Sequence, residues 1–139
     1  MRQDDNLKEL IDWEAIMPMP RYAGGHDDQM CGLFRGSTLI AHYNEGDYQG
    51  VVATCVKLED GRFVIYNDYY GSCSGCDAWE DASDEDVRAM CINLANSAKI
   101  FDTLDEVKDY LNLGSSNDNY SWGEVGLRLL EEMQNENTN

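Results

Sequence analysis

The sequence predicts an α+β fold in which a three-stranded antiparallel sheet is covered by about four helices. Residues 38–70 are rich in β-branched and aromatic side chains and contain an Asp60-Gly61 turn signal, which is typical of a β-meander. Apolar residues recur at helical spacing over residues 1–17 and 83–135, and this periodicity predicts helices at both ends of the chain. These helices are the available cover for the one face that such a sheet must bury.

The chain of 139 residues and 15.7 kDa is long enough for one compact domain, residues 1–139, and too short for two. Its 27 acidic and 10 basic residues leave a formal net charge of -17. This charge disfavours direct binding to nucleic acid and to anionic membranes, because both carry phosphates. Hydrophobic residues make up 42% of the chain, which is enough apolar area to order it despite the charge.

The first helix is predicted over residues 1–17. Asn6 and Glu9 can cap its start. Its apolar residues recur at helical spacing and are Leu7, Leu10, Ile11, Trp13, Ile16 and Met17. Pro18 ends it, and residues 21–36, which show little periodicity, are predicted to form an irregular connection.

Three strands are predicted to follow, over Thr38–Tyr43, Tyr48–Leu58 and Arg62–Tyr70. The Asp60-Gly61 pair identifies the second connection as a hairpin. Consecutive strands joined by short turns pair as antiparallel neighbours, so we expect a meander over residues 38–70.

Capping boxes of the type Ser/Thr-x-x-Asp/Glu predict the starts of three further helices. The boxes are Ser83 with Asp86, Thr103 with Glu106, and Ser121 with Glu124. Each helix carries an apolar stripe that is expected to face a core. The stripes are Val87, Met90, Cys91, Leu94 and Ala98, then Leu104, Val107, Tyr110 and Leu111, then Trp122, Val125, Leu129 and Met133. The polar end, residues 136–139, is predicted to fray.

Residues 71–77, Gly-Ser-Cys-Ser-Gly-Cys-Asp, form the most distinctive motif of the chain. Its thiols, Cys73 and Cys76, can coordinate one metal ion. We expect zinc as the cofactor, with His26 and Cys31 as the remaining two ligands. A structural alternative is that the glycines shape a turn and both thiols pack beneath it. A thioredoxin-like redox role would need a strand-helix-strand unit, and no strand is predicted after the motif.

The five cysteines predict free thiols in a reducing compartment rather than a disulfide framework. Cys55 lies inside a predicted strand and Cys91 on the apolar face of a predicted helix, so both are interpreted as buried hydrophobic residues. The acidic start of the chain lacks the cationic and apolar segments of a signal peptide. The protein is therefore expected in the cytoplasm.

Six of the ten residues from Asp77 to Asp86 are acidic. The dipole of the helix that starts there accounts for the last three, but not for the others. We expect these carboxylates to be offered to a basic protein surface, as the phosphates of a nucleic acid would be. The predicted partner-binding residues are Asp68, Tyr69, Asp77, Glu80, Asp81, Asp84, Glu85 and Asp86.

Four features together resemble small acidic proteins of bacteriophages and mobile elements. They are the Asp47-Tyr48-Gln49-Gly50 segment, the Asp60-Gly61 hairpin, the motif at residues 70–77 and the helix that follows Phe101-Asp102. The resemblance covers residues 45–113. It implies a phage-type origin and, by analogy, an inhibitor of host defence, such as an anti-CRISPR protein, or of a host nucleic-acid enzyme.

The sequence thus predicts a non-catalytic acidic binding protein that inhibits a host defence or nucleic-acid-binding protein by nucleic-acid-like charge mimicry. The alternative is a small zinc- or thiol-dependent enzyme in which Cys73 or Cys76 acts as ligand or nucleophile while His42 or Glu45 handles protons. A homodimer joined by two CxxC pairs around one metal ion is also compatible with the sequence.

Overall fold

The computed structural model describes residues 7–19, 30–44, 50–70, 82–114 and 123–136. Within these ranges a short 3-10 helix, Leu7–Leu10, precedes four α-helices and four strands. The helices are α1 (Trp13–Ile16), α2 (Asp84–Ser97), α3 (Leu104–Gly114) and α4 (Gly123–Glu136). The strands are β1 (Thr38–Asn44), β2 (Gly50–Lys57), β3 (Phe63–Tyr70) and β4 (Lys99–Phe101). The predicted α+β class is confirmed, and no helix in these ranges is long and apolar enough to cross a membrane.

The four described strands form one antiparallel sheet in the order β1-β2-β3-β4. β2 pairs with β3 along its whole length, from Gly50 opposite Tyr70 to Lys57 opposite Phe63. β4 pairs with the start of β3, and its Phe101 lies opposite Phe63. The prediction of three strands is wrong on this point, as is the prediction that no strand follows residues 71–77. The three residues of β4 are too few to show the alternation by which a strand is predicted.

One face of the sheet, which we call the first face, is covered by the N-terminal part of the chain and by α2. The sheet residues of this face include Val52, Thr54, Val56, Val64 and Tyr66. The buried residues that cover it include Leu7, Ile11, Ile16, Met30, Leu33, Phe34, Val87, Cys91 and Leu94. The apolar stripe predicted for α2 therefore faces this core.

The opposite face, which we call the second face, is covered by α3 and α4, and these two helices also pack against each other. Its buried sheet residues are Ala41, Ala53, Cys55, Ile65 and Phe101. Val107 and Leu111 of α3 and Leu129 and Met133 of α4 complete this core. The sequence predicted one buried face, but β2 is apolar on both sides, so the sheet buries both.

The N-terminal segment folds as two short helical turns rather than as the single helix predicted over residues 1–17. Between the 3-10 helix and α1, Ile11 forms an isolated antiparallel bridge with Phe34. The Asp12 side chain accepts a hydrogen bond from the backbone N–H of Ala15 at 3.2 Å and so caps α1 as a new helix. The bridge ties this segment to the residues that lead into β1.

Two of the three predicted capping boxes are confirmed. Ser83 Oγ accepts a hydrogen bond from the backbone N–H of Asp86 at 3.1 Å, and the Asp86 carboxylate accepts one from the backbone N–H of Ser83 at 3.4 Å. Thr103 and Glu106 form the same reciprocal pair before α3. Ser121 of the third box lies outside the described residues, as do residues 137–139 of the predicted frayed end.

The predicted hairpin between β2 and β3 also forms. The backbone N–H of Leu58 donates to the carbonyl of Arg62 at 2.8 Å and closes the turn. Gly61 has φ 94°, in the left-handed region that favours glycine. The Asp60 carboxylate accepts a hydrogen bond from Arg62 Nε at 2.8 Å, which fixes the turn from outside.

Candidate functional site

The predicted partner-binding residues lie around the connection from β3 to α2, two elements that pack against each other on the first face. The structure describes this site through Asp68 near the end of β3 and through the three acids at the start of α2. Of the predicted zinc ligands the structure describes Cys31. The remaining predicted residues, for partner binding and for zinc, lie outside the described part of the chain: His26, the Tyr69 side chain, Cys73, Cys76, Asp77, Glu80 and Asp81.

Three carboxylates occupy the first turn of α2, where the helix dipole is positive. Asp84, Glu85 and Asp86 are all exposed. Asp86 has a structural role, because it closes the capping box with Ser83. Asp84 and Glu85 lie beside it at exposed positions outside the capping box, and Asp84 takes part in a further interaction within the chain.

The helix that carries these acids is held firmly against the sheet. Val87, Cys91 and Leu94 of α2 are buried in the core of the first face. Val87 is the residue directly after the acidic turn and is 0% exposed. Charges on a helix anchored in this way are already in position before a partner arrives, so little conformational entropy is lost on binding.

Asp68 belongs to the first face, at the same end of the sheet as the start of the connection to α2. It lies opposite Val52 of β2, and Val52 in turn lies opposite Asn44 of β1. Asp68 is half-buried, whereas Asp84 and Glu85 are exposed. Asp68 and Asp84 both take part in a further interaction within the chain, so it is burial that makes Asp68 the less available of the two.

A row of polar side chains crosses the first face, and the sequence analysis did not predict it. His42, Thr54 and Tyr66 lie opposite one another on β1, β2 and β3. His42 Nδ1 and Thr54 Oγ1 share a hydrogen bond of 2.8 Å, and Thr54 is fully buried. The sequence does contain a sign of this row. Thr54 alternates with Val52 and Val56 and so shares their face of β2, which places one polar side chain among buried apolar ones that needs a hydrogen-bond partner.

Tyr66 fastens the segment before β1 to the sheet. Its hydroxyl donates a hydrogen bond to the backbone carbonyl of Met30, and its ring meets Phe34 edge-on, with centroids 5.5 Å apart. Burial raises the pKa of Tyr66 well above its usual 10.0, with further contributions from the thiolate charges of Cys31 and Cys55. The phenol therefore remains a neutral donor and acts as a structural group.

The described cysteines divide into two buried residues and one that is partly exposed. Burial raises the pKa of the Cys55 thiol from 9.0 to about 12, so Cys55 stays protonated at neutral pH and is not a nucleophile. Cys91 is buried in the core of the first face. The interpretation of both as core residues is confirmed, whereas Cys31 is half-buried.

Cys31 is the one predicted zinc ligand that the structure describes. Among the described residues, no group of three or more His, Cys, Asp or Glu side chains could hold a metal ion. Cys31 directly follows Met30, whose carbonyl is bonded to Tyr66, so it lies over β3, the strand that leads into the Cys73 and Cys76 motif. Its predicted partners in the zinc site lie outside the described residues, so zinc binding stays a prediction.

The charge around the start of α2 is of one sign. From residue 63 to residue 87 the chain contains seven Asp and Glu residues and no Lys or Arg. Arg62 and Arg88 flank this stretch directly, and Arg62 is paired with Asp60 at 2.8 Å. The connection from β3 to α2 therefore carries negative charge over its length and basic residues at its two ends.

Comparison of the chain with models of protein families, with curated proteins and with solved structures finds no match. The resemblance to small bacteriophage proteins, which rests largely on residues 70–77, stays a prediction. Most of that motif lies outside the described residues. The chemistry of the described side chains is thus the ground for inferring a function.

Proposed function

We propose that the protein is a non-catalytic acidic binding protein that presents the carboxylates at the start of α2 to a basic surface of another protein. One observation carries the proposal. Asp84 and Glu85 are exposed on a helix fixed to the sheet, directly after a stretch that contains Asp77, Glu80 and Asp81 and lacks Lys and Arg.

Electrostatics supports this function both before the partners touch and once they are in contact. The net charge of -17 attracts a basic partner from outside contact range and speeds association. At contact, carboxylates on a fixed helix turn can pair with Lys or Arg side chains without first being ordered. The capping box explains Asp86, and the helix dipole favours Asp84 and Glu85 in the first turn. Neither effect explains the acids that precede the helix, Asp77, Glu80 and Asp81.

Basic grooves that bind nucleic acid are the class of surface that best fits such a carboxylate array, because they are built to neutralise closely spaced phosphates. A protein that occupies such a groove competes with DNA or RNA for it. The resemblance to bacteriophage proteins supports a host defence or nucleic-acid-binding protein as the target. We therefore propose inhibition by charge mimicry as the mode of action.

The test is capture of partners from a bacterial lysate on the immobilised protein, identification of the captured protein, and measurement of its association rate at several salt concentrations. The rate should fall steeply as salt rises, because the screening length shrinks from about 30 Å at 0.01 M to about 10 Å at 0.1 M. The captured partner should also lose its own DNA or RNA binding when the acidic protein is added.

A pair of matched variants locates the surface. The double substitution of Asp84→Asn and Glu85→Gln removes two negative charges from α2 and should slow association by about three- to tenfold. The control, Asp105→Asn with Asp109→Asn, removes the same charge from exposed positions of α3 on the other side of the sheet. Equal slowing by both pairs would show that total charge, not the α2 surface, governs binding. A salt-independent rate would refute charge mimicry altogether.

A further inference from the structure

The hairpin turn between β2 and β3 contains the chain's one Asp-Gly pair, Asp60-Gly61, and the sequence has no Asn-Gly pair. Leu58 and Arg62 face each other across the turn, where the N–H of Leu58 donates to the carbonyl of Arg62 at 2.8 Å. Gly61 has the left-handed conformation that such loops need, with φ 94°. Asp-Gly pairs are also sites at which a polypeptide backbone rearranges readily, because glycine has no side chain to shield its nitrogen.

This rearrangement needs no reagent other than water. The Gly61 nitrogen attacks Cγ of the protonated Asp60 carboxyl, an N–Cγ bond forms, and the amide hydrogen leaves with the carboxyl hydroxyl as water. Water then adds to the main-chain carbonyl carbon of the succinimide ring and breaks the bond from that carbon to the nitrogen. The product is isoaspartate, in which the chain continues through Cγ and the former main-chain carbonyl carbon carries the carboxylate. The backbone of the turn is thereby lengthened by the Cβ methylene.

Arg62 holds both oxygens of the Asp60 carboxylate. Oδ1 accepts a hydrogen bond from the backbone N–H of Arg62 at 3.0 Å, and Oδ2 lies 2.8 Å from both Nε and Nη2 of its guanidinium. The Arg62 side chain is 23% exposed, which limits the competition of water for these bonds. The succinimide ring cannot close while they are kept, because closure expels one of the two oxygens and removes the charge that binds the guanidinium.

The nitrogen that would attack is held as well. The N–H of Gly61 donates to the carbonyl of Leu58 at 3.0 Å, and Leu58 is buried. Attack on Asp60 consumes this N–H and so breaks a hydrogen bond of the turn. Steric hindrance adds no protection, because a Cβ placed on Gly61 would meet no atom within 4 Å. The hydrogen bonds and the ion pair are therefore what keeps the turn from reacting.

We propose that Asp60 is a site of spontaneous isomerisation to isoaspartate and that Arg62 protects it in the folded protein. The modification lengthens the turn that sets Lys57 opposite Phe63, and so disturbs the register of β2 and β3, on which both cores depend. The isomerised chain should therefore unfold at a lower urea concentration. The inference is independent of the proposed function, because the hairpin and the acidic connection to α2 lie at opposite ends of β3.

The experiment incubates the full-length protein at neutral pH and measures isoaspartate at residue 60 by peptide mapping with electron-based fragmentation, which distinguishes the two linkages. Arg62→Gln removes the guanidinium and should raise the rate of isomerisation about two- to fivefold, as expected for loss of a partly exposed ion pair. The control, Arg128→Gln, removes the same charge from the exposed pair with Glu131 and should leave the rate unchanged. Asp60→Glu, whose longer side chain does not close the succinimide ring, should give no signal at residue 60.

The same measurement in concentrated urea separates the effect of the fold from that of the local sequence. Unfolded wild-type protein and unfolded Arg62→Gln should isomerise at similar rates, and both faster than the folded wild type. If the folded wild type isomerises as fast as Arg62→Gln, or as fast as it does in urea, protection by Arg62 is refuted. Equal acceleration by Arg62→Gln and Arg128→Gln would show an effect of net charge and would also overturn the inference. None of these results alters the salt dependence of partner association, which decides the proposed function separately.

Discussion

The hydroxyl of Tyr66 offers the sharpest test of how the N-terminal segment is held to the sheet. Tyr66 is 1% exposed, and its hydroxyl donates to the carbonyl of Met30, a residue that is 0% exposed. Tyr66→Phe removes the donor and leaves the ring in place, so the edge-on contact with Phe34, with planes at 87°, is preserved. The substitution thus isolates one hydrogen bond.

The expected loss of stability depends on the Met30 carbonyl, which the substitution leaves buried without its hydrogen-bond donor. An average hydrogen bond contributes about 1 kcal/mol to stability, but a buried acceptor that loses its donor costs about 1–3 kcal/mol. No cavity larger than the hydroxyl oxygen forms. We therefore expect Tyr66→Phe to lower the free energy of unfolding by about 2 kcal/mol, which shifts the urea midpoint by about 1 M when the urea dependence is about 2 kcal/mol per molar.

The assay is urea unfolding followed by tryptophan fluorescence, with Tyr43→Phe as the control. Tyr43 is half-buried in β1 and packs against the core of the second face. Loss of its hydroxyl should change stability by less than about 0.5 kcal/mol. A change of that small size at Tyr66 as well would refute the conclusion that its hydroxyl fastens the segment before β1.

Three further predictions address the helix cap, the buried thiol and the cysteine motif. Ser83→Ala should lower stability by about 1 kcal/mol in the same urea assay, and Ser83→Thr by clearly less, because threonine retains a capping hydroxyl. Burial raises the pKa of Cys55 from 9.0 to about 12, so above about pH 9 the thiol loses its proton on unfolding. The free energy of unfolding should therefore fall as pH rises from about 9 towards about 12. Cys55→Ala should flatten this decline, and a decline that is unchanged in the variant would contradict the prediction. Purified protein should contain about one zinc ion per chain by elemental analysis, and substitution of both Cys73 and Cys76 by serine should remove it; metal-free wild-type protein would refute the zinc prediction.

The elements that the sequence predicted well are those specified by local side-chain and backbone chemistry. The capping pairs at Ser83 and Thr103 and the turn at Gly61 each need residues only a few positions apart. The sequence predicts β1, β2 and β3 because β-branched and aromatic residues cluster within residues 38–70. The exposure of Asp84 and Glu85 follows equally from their position in the first turn of a helix.

The features that the sequence did not predict depend on contacts between distant parts of the chain. β4 is a strand only because β3 offers it an edge. The N-terminal helix divides where Ile11 pairs with Phe34, a partner that local periodicity cannot reveal. The row of His42, Thr54 and Tyr66 exists through the register of three strands, and register is set by packing on both faces rather than by any one segment.

The burial of both sheet faces has a consequence for synthesis on the ribosome. The hydrogen bond from Tyr66 reaches back 36 residues to Met30, so the first face can be closed while the chain is still growing. In the part of the chain that the structure describes, the second face is covered by α3 and α4, which emerge after all four strands. Until then, Ala53, Cys55 and Ile65 form a bare apolar surface, so nascent chains and products truncated before α4 are the species most exposed to aggregation and to cellular quality control.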